Sequence, residues 1–180
     1  MIPLRFENVK YEDVPQQIQE LFEKIKESQR GIYIYGKVGT GKTHIAYALK
    51  KQYDMPESGR YAMFQNTTEL LHEMRLDFDK SIGEKQMLEK DLMDCKNLII
   101  LDDVGSEKLS DWVAETFYLI INKRYNQMLP TIITSNLPIS DLKERIGDRT
   151  VSRIVEMCDI VEIVGEDKRF NATSKIKINL

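Results

Sequence analysis

Membrane-length apolar runs, cysteine clusters and an excess of basic charge are all missing from this sequence. No apolar stretch approaches the roughly 18 residues of a spanning helix. The longest runs are short, as in Leu98-Ile99-Ile100-Leu101. The opening MIPLRFENVKYEDV has no long apolar core, so no signal peptide is expected. Cysteine is scarce: Cys95 and Cys158 stand outside any CxxC or Cys/His spacing. They read as reduced, partly buried thiols of a cytoplasmic protein, not as a disulfide or a metal site. The formal net charge of −3 leaves no overall basic footprint. Any nucleic-acid contact must therefore come from a local patch. There is no internal repeat and no low-complexity tract.

What is present suits one compact domain: 180 residues, 42% of them apolar. From Gly31 to Ile163, short β-branched and aromatic runs alternate with helical segments. That alternation predicts a three-layer α/β domain with a mostly parallel sheet. The expected strands are 32–35, 61–64, 98–101, 131–134 and 160–163. Asn66 is expected to cap a helix, with Glu69 as its partner three residues on. Ser110 is expected to cap a longer helix carrying Val113, Phe117, Ile120 and Ile121 on one side. The charged stretch from Asp77 to Lys90, broken at Gly83, reads as a helix–turn–helix excursion.

One motif carries chemistry without ambiguity. Gly36-Lys37-Val38-Gly39-Thr40-Gly41-Lys42-Thr43 fits G-x-x-x-x-G-K-[ST], after a strand and before a helix. The glycines let the backbone close around phosphate oxygens, and the loop amides and helix N-terminus supply partial positive charge. Lys42 brings a full charge to the β- and γ-phosphates, and the Thr43 hydroxyl suits Mg²⁺. His44 follows directly and is grouped with the nucleotide-binding run, although as a residue it reads more simply as an ordinary helical position. Asp102 and Asp103 end the buried strand 98–101, where one carboxylate can reach the metal and the next can orient or deprotonate water. The strand 131–134 also ends in polar residues, Ser135 and Asn136. The Asn136 amide could hold the same water, although Asn-Leu-Pro is also good turn chemistry. These residues alone leave open an ATPase, a small P-loop kinase and a nucleotide-dependent adaptor.

Together with Arg145-Ile146-Gly147-Asp148-Arg149-Thr150-Val151-Ser152-Arg153-Ile154, these motifs resemble the AAA+ ATPases. The chain is most similar to replicative helicase loaders of the DnaC/DnaI type and to the related IstB transposition helper ATPases. The resemblance covers roughly residues 30–170. It implies an ATPase domain over 31–170, a lead-in over 1–30, and a tail or edge strand over 171–180. It further implies ATP or ADP with Mg²⁺ as ligands, with Lys42 and Thr43 as Walker A and Asp102 and Asp103 as Walker B. Asn136 would be sensor 1, and Arg153 an arginine finger reaching a neighbouring subunit, with Arg149 the second candidate. Arg169 would be the sensor 2 arginine. Read without the resemblance, these arginines pair with Glu144, Asp148, Glu156 and Asp167 on the surface. The partners implied are a replicative DNA helicase, single-stranded DNA and further copies of the chain, assembled head to tail; the IstB-like helper would act on duplex DNA instead. Two departures matter. Many AAA+ proteins have Asp-Glu where this chain has Asp102-Asp103, so slow hydrolysis is expected. The residues after Asn136 are too few for a full helical lid, and only 35 residues precede Gly36, so no helicase-binding domain is expected in this chain. The segment Arg75 to Lys96 would face single-stranded DNA, but it is of mixed charge, with Phe78 as its one aromatic. Residues Phe6 to Val14 are a candidate flank for the adenine.

Overall fold

The computed structural model describes residues 2–28, 30–76, 92–93, 95–108 and 110–167. Helix α1 (Gln16–Ser28) leads into β1 (Gly31–Tyr35), the phosphate loop and α2 (Lys42–Tyr53). Then come β2 (Met63–Asn66), α3 (Thr67–Leu76), β3 (Ile99–Asp102), α4 (Asp111–Asn126), β4 (Thr131–Ser135), α5 (Ile139–Ile146), α6 (Asp148–Met157) and β5 (Cys158–Glu162). The five strands form one parallel sheet in the order β2-β3-β4-β1-β5.

Strand alternation sorts the core into two halves. Ile32 and Ile34 of β1, Ile100 of β3 and Ile132 of β4 pack with Ile18, Phe22 and Ile25 of α1 and with Ala46, Ala48 and Leu49 of α2. Tyr33, Ile99, Leu101 and Ile133 point the other way, into Leu70, Leu71 and Met74 of α3, Phe117 and Ile120 of α4, Leu142 of α5 and Ile154 of α6. Helices therefore cover both faces, as a parallel sheet requires. The spacing of Ile18, Phe22 and Ile25 gives α1 one apolar stripe, and all three side chains are buried. Each such side chain contributes about 1.5–3 kcal/mol.

Strand ends differ from the sequence reading by one or two residues. β2 begins at Met63 rather than Tyr61 because the Ala62 backbone is engaged elsewhere. Its N–H donates to Asp54 Oδ1 at 2.6 Å, and its carbonyl accepts from Lys50 Nζ. β3 extends to Asp102, which pairs with Asn66. β5 starts at Cys158, whose partner is Gly31 at the start of β1. Both capping side chains accept as expected, Asn66 Oδ1 from Glu69 N at 3.3 Å and Ser110 Oγ from Val113 N at 3.3 Å. The expected excursion over 77–90, Phe78 included, lies outside the described residues, as do Arg169 and the tail.

Arg124, on the face of α4 that carries Ile120 and Ile121, is 0% exposed. Its Nε donates to Thr131 Oγ1, Nη1 to the carbonyls of Leu92 and Cys95, and Nη2 to those of Asn97 and Pro130, over 2.7–3.2 Å. Burial lowers its pKa to about 10. This one guanidinium ties the end of α4 to the starts of β3 and β4.

Candidate nucleotide-binding site

Parallel pairing brings the C-terminal ends of β1, β3 and β4 to one edge of the sheet, and the site is built there. The loop leaves β1 at Gly36. Gly39 and Gly41 take φ of +80° and +100°, which suits residues without a Cβ. Thr40 closes the loop on itself, its hydroxyl donating to the Lys37 carbonyl at 2.9 Å. The chain after β5 returns across this loop: a Cβ on Gly39 would collide with the Asp167 carboxylate.

Lys42 opens α2 and is only 7% exposed. Its ammonium donates to the Gly36 carbonyl at 2.8 Å, the Lys37 carbonyl at 2.9 Å and Asn136 Oδ1 at 2.8 Å. The other end of the same amide, Asn136 Nδ2, donates to Asp103 Oδ1 at 2.6 Å. Asn136 thus bridges the cation and the second carboxylate, an arrangement that fixes which end of the amide faces which charge. Asp103 has φ of +62°, a left-handed conformation that Asp tolerates better than most residues and that is found at functional turns.

Asp102 is 3% exposed. The Thr43 hydroxyl donates to its carboxylate at 3.1–3.2 Å, and Thr134 Oγ1 donates to Oδ1 at 2.6 Å. Burial pushes the Asp102 carboxyl above its ordinary range, opposed by the hydrogen bonds from Thr134 and Thr43. Thr43 and Asp102 are a hard-oxygen pair that fits Mg²⁺, an ion held by few protein ligands and completed by phosphate and water. Among the described residues there is no larger cluster of His, Cys, Asp and Glu that could hold a metal.

The loop opens into a cavity of about 1750 Å³. Its wall includes Lys42, Thr43, Asp102, Asp103 and Asn136 with Phe6, Val9 and Val14 of the lead-in. Lys51 holds that lead-in against α2 by donating to the carbonyls of Glu7 and Val9 at 3.0 Å. Phe6 stacks on Tyr47, and Tyr47 on Phe64, with centroids 4.5 and 4.0 Å apart. His44 is exposed on the cavity wall with its ring edge-on to Phe6.

Arg149 and Arg153 do not line the cavity; both lie on α6, which follows the break at Gly147. The surface ion pairs that Arg153 would make if read without the resemblance do not form among the described residues: its hydrogen-bond partners are Asn122, Tyr118 and the Arg149 carbonyl. Two contributors escape sequence reading. Thr134 braces Asp102 and also accepts from Asp103 N at 3.0 Å. Thr67 donates to the carbonyls of both aspartates at 3.0–3.1 Å. A threonine closing an apolar strand beside the acidic one is the only signal the sequence offers for the first.

The family described as "IstB-like ATP binding protein" matches residues 6–176. The chain belongs to that family. Among solved structures, this IstB-like chain is similar to one described as the crystal structure of the DnaC helicase loader. Identity is 28% and the TM-score 0.76, covering 90% of this chain and 100% of that one. Among curated proteins it is 27% identical to the replicative helicase loader DnaI of Bacillus subtilis, over 78% of this chain and 48% of the relative. It is 25% identical to an insertion sequence IS21 putative ATP-binding protein of Pseudomonas aeruginosa, over 83% of this chain and 56% of the relative. The chain spans about half the length of the curated relatives it matches. The fold is the AAA+ P-loop fold that the sequence suggested. No helix among the described residues is long and apolar enough to cross a membrane.

Proposed function

We propose that this chain is the Mg²⁺-dependent ATPase portion of a replicative helicase loader, working in the cytoplasm. The observation that carries the hydrolysis is the Lys42–Asn136–Asp103 chain of hydrogen bonds, which sets a cation, an amide and a carboxylate side by side at the mouth of the loop. The loop amides and Lys42 bind the phosphates. Asp103 and Asn136 hold a water in line with the γ-phosphorus. The water oxygen bonds to phosphorus, the bond to the β–γ bridging oxygen breaks, ADP departs, and Asp103 takes the water proton. A bound Mg²⁺, held by Thr43 Oγ1 and Asp102, would neutralise charge gathering on the phosphate oxygens. Arg153 supplies positive charge to the site of the next subunit, so hydrolysis depends on head-to-tail assembly. Arg149 is the alternative finger, and Arg169 takes the sensor 2 role. Residues 6–14 flank the adenine, and Gly36 to His44 hold the phosphates.

The loader assignment, with its helicase and single-stranded DNA partners, is supported by the similarity to the DnaC and DnaI loaders. The IS21 relative supports a second reading, a transposition helper acting on duplex DNA. Phosphate release is measured against protein concentration, with single-stranded and duplex DNA in separate arms, and the protein is tested for capture of a replicative helicase. A steeper than linear rise, single-stranded DNA retention only with ATP, and helicase capture are expected of the loader. Preference for duplex favours the transposition helper. Phosphate appearing on a small acceptor refutes both in favour of a kinase.

A further inference from the structure

Tyr118, Asn122 and Tyr125 of α4 follow i, i+4, i+7 spacing and so share one helix face. Arg153 of α6 lies along this face. Its Nε donates to Asn122 Oδ1 at 2.7 Å, Nη1 to the Arg149 carbonyl at 3.0 Å, and Nη2 to Tyr118 Oη at 3.4 Å. The guanidinium carbon stands 4.9 Å from the Tyr118 ring centre and 5.8 Å from that of Tyr125. Every one of these partners is neutral. The nearby Glu156 acts on the Tyr125 hydroxyl, raising its pKa, and no carboxylate among the described residues forms an ion pair with Arg153.

A surface arginine ordinarily meets a carboxylate or waves in water. This one is half-buried, set over the Tyr118 ring with that of Tyr125 close by, and held by an amide, a carbonyl and a phenol. Three of its five N–H groups are used, which leaves two, both on the terminal nitrogens. A guanidinium fixed by neutral acceptors keeps its full charge for an outside anion, and it has less side-chain freedom to lose when it meets one.

We infer that Asn122, with the rings of Tyr118 and Tyr125, is a cradle that positions Arg153 for the γ-phosphate bound by a neighbouring copy of the chain. This rests on the finger reading above. Asn122 is a positioning residue: it touches Arg153 and never the nucleotide. It donates nothing to its own subunit's site, so its effect must appear in the neighbour's turnover.

The test uses the full chain with MgATP. Asn122→Ala is expected to bind ATP as the unaltered protein does and to lose about ten- to a hundredfold in assembly-dependent hydrolysis, the scale of a misplaced catalytic group. Asn122→Ala is then mixed with Asp103→Asn, which keeps its cradle and finger but lacks the carboxylate for its own turnover. The mixture is expected to hydrolyse faster than either variant alone, because the Asp103→Asn copy lends its arginine to the intact site of the Asn122→Ala copy. A variant that merely folds badly would gain nothing from the mixture, and no gain overturns the cradle. Full hydrolysis in Asn122→Ala, when Arg153→Ala has lost it, overturns the cradle and leaves the finger standing. Full hydrolysis in Arg153→Ala overturns both.

Discussion

Replacing Asn136 by Asp changes one heavy atom and reverses one interaction. The new oxygen would stand where Asn136 Nδ2 now donates to Asp103 Oδ1 at 2.6 Å. Two unit charges at that separation repel by about 6 kcal/mol at an effective dielectric near 20. Both residues are half-buried, Lys42 stands beside the pair, and a shared proton relieves the rest, so the net loss of stability is about 2–4 kcal/mol at pH 8. The sign of the pH dependence follows from linkage. The folded carboxyl pair binds a proton more readily than the unfolded chain does, so the deficit shrinks as the pH falls. Asn136→Ala removes the same hydrogen bonds without adding charge; it costs about 1–2 kcal/mol and does so equally at both pH values. Urea unfolding midpoints of the three proteins at pH 5.5 and pH 8 measure this directly. An Asn136→Asp deficit that is independent of pH, or equal to that of Asn136→Ala, would refute the bridge.

Burial holds the Asp102 carboxyl above the usual carboxylate range, so the native state favours its protonated form and loses stability as the pH rises through that range. Asp102→Asn should therefore be about 1 kcal/mol more stable at pH 8 in urea, while losing any tightening of ATP binding by Mg²⁺ in parallel titrations. In the unaltered protein, that tightening should grow as the pH rises through the same range. Arg124→Met removes all five bonds of a buried cation and strands their acceptors; a loss of about 3–5 kcal/mol and a Tm lower by about 10 °C are expected by calorimetry. Burial pushes the Cys158 thiol up to about 12. Alkylation at pH 8, followed by mass spectrometry, should find Cys158 protected in the native protein and labelled quickly in urea.

The parts of the site that could be read from sequence are those written in consecutive residues. The phosphate loop, the aspartate pair and Asn136 each sit where a strand stops, so their chemistry and their place in the fold come together. Thr134 was not legible because its role exists only once β4 lies beside β3. Arg124 reads as an ordinary basic residue in the last turn of a helix; its burial follows from carbonyls 6 to 32 positions away. The contacts of Arg153 were hidden in a similar way. Acidic neighbours in sequence suggested ion pairs, but a different helix, α4, supplies the actual contacts. The start of β2 slipped because side chains of Asp54 and Lys50 compete with the sheet for one backbone unit, and strand propensity carries no trace of such competition.

The guanidinium of Arg124 grips β3 and β4 where they begin, and Asp102, Asp103 and Asn136 stand where they end. Chain length is therefore constrained unequally around the sheet. Between residues 92 and 98, and again from 124 to 131, one inserted or deleted residue would shift a strand by a full position and carry an aspartate or the amide off its mark. Beyond the same strands, toward residue 110, the connection is free of that anchor. Variation in loop length among working versions of this domain should thus gather on the edge of the sheet that carries the phosphate loop, while the opposite edge stays fixed in length.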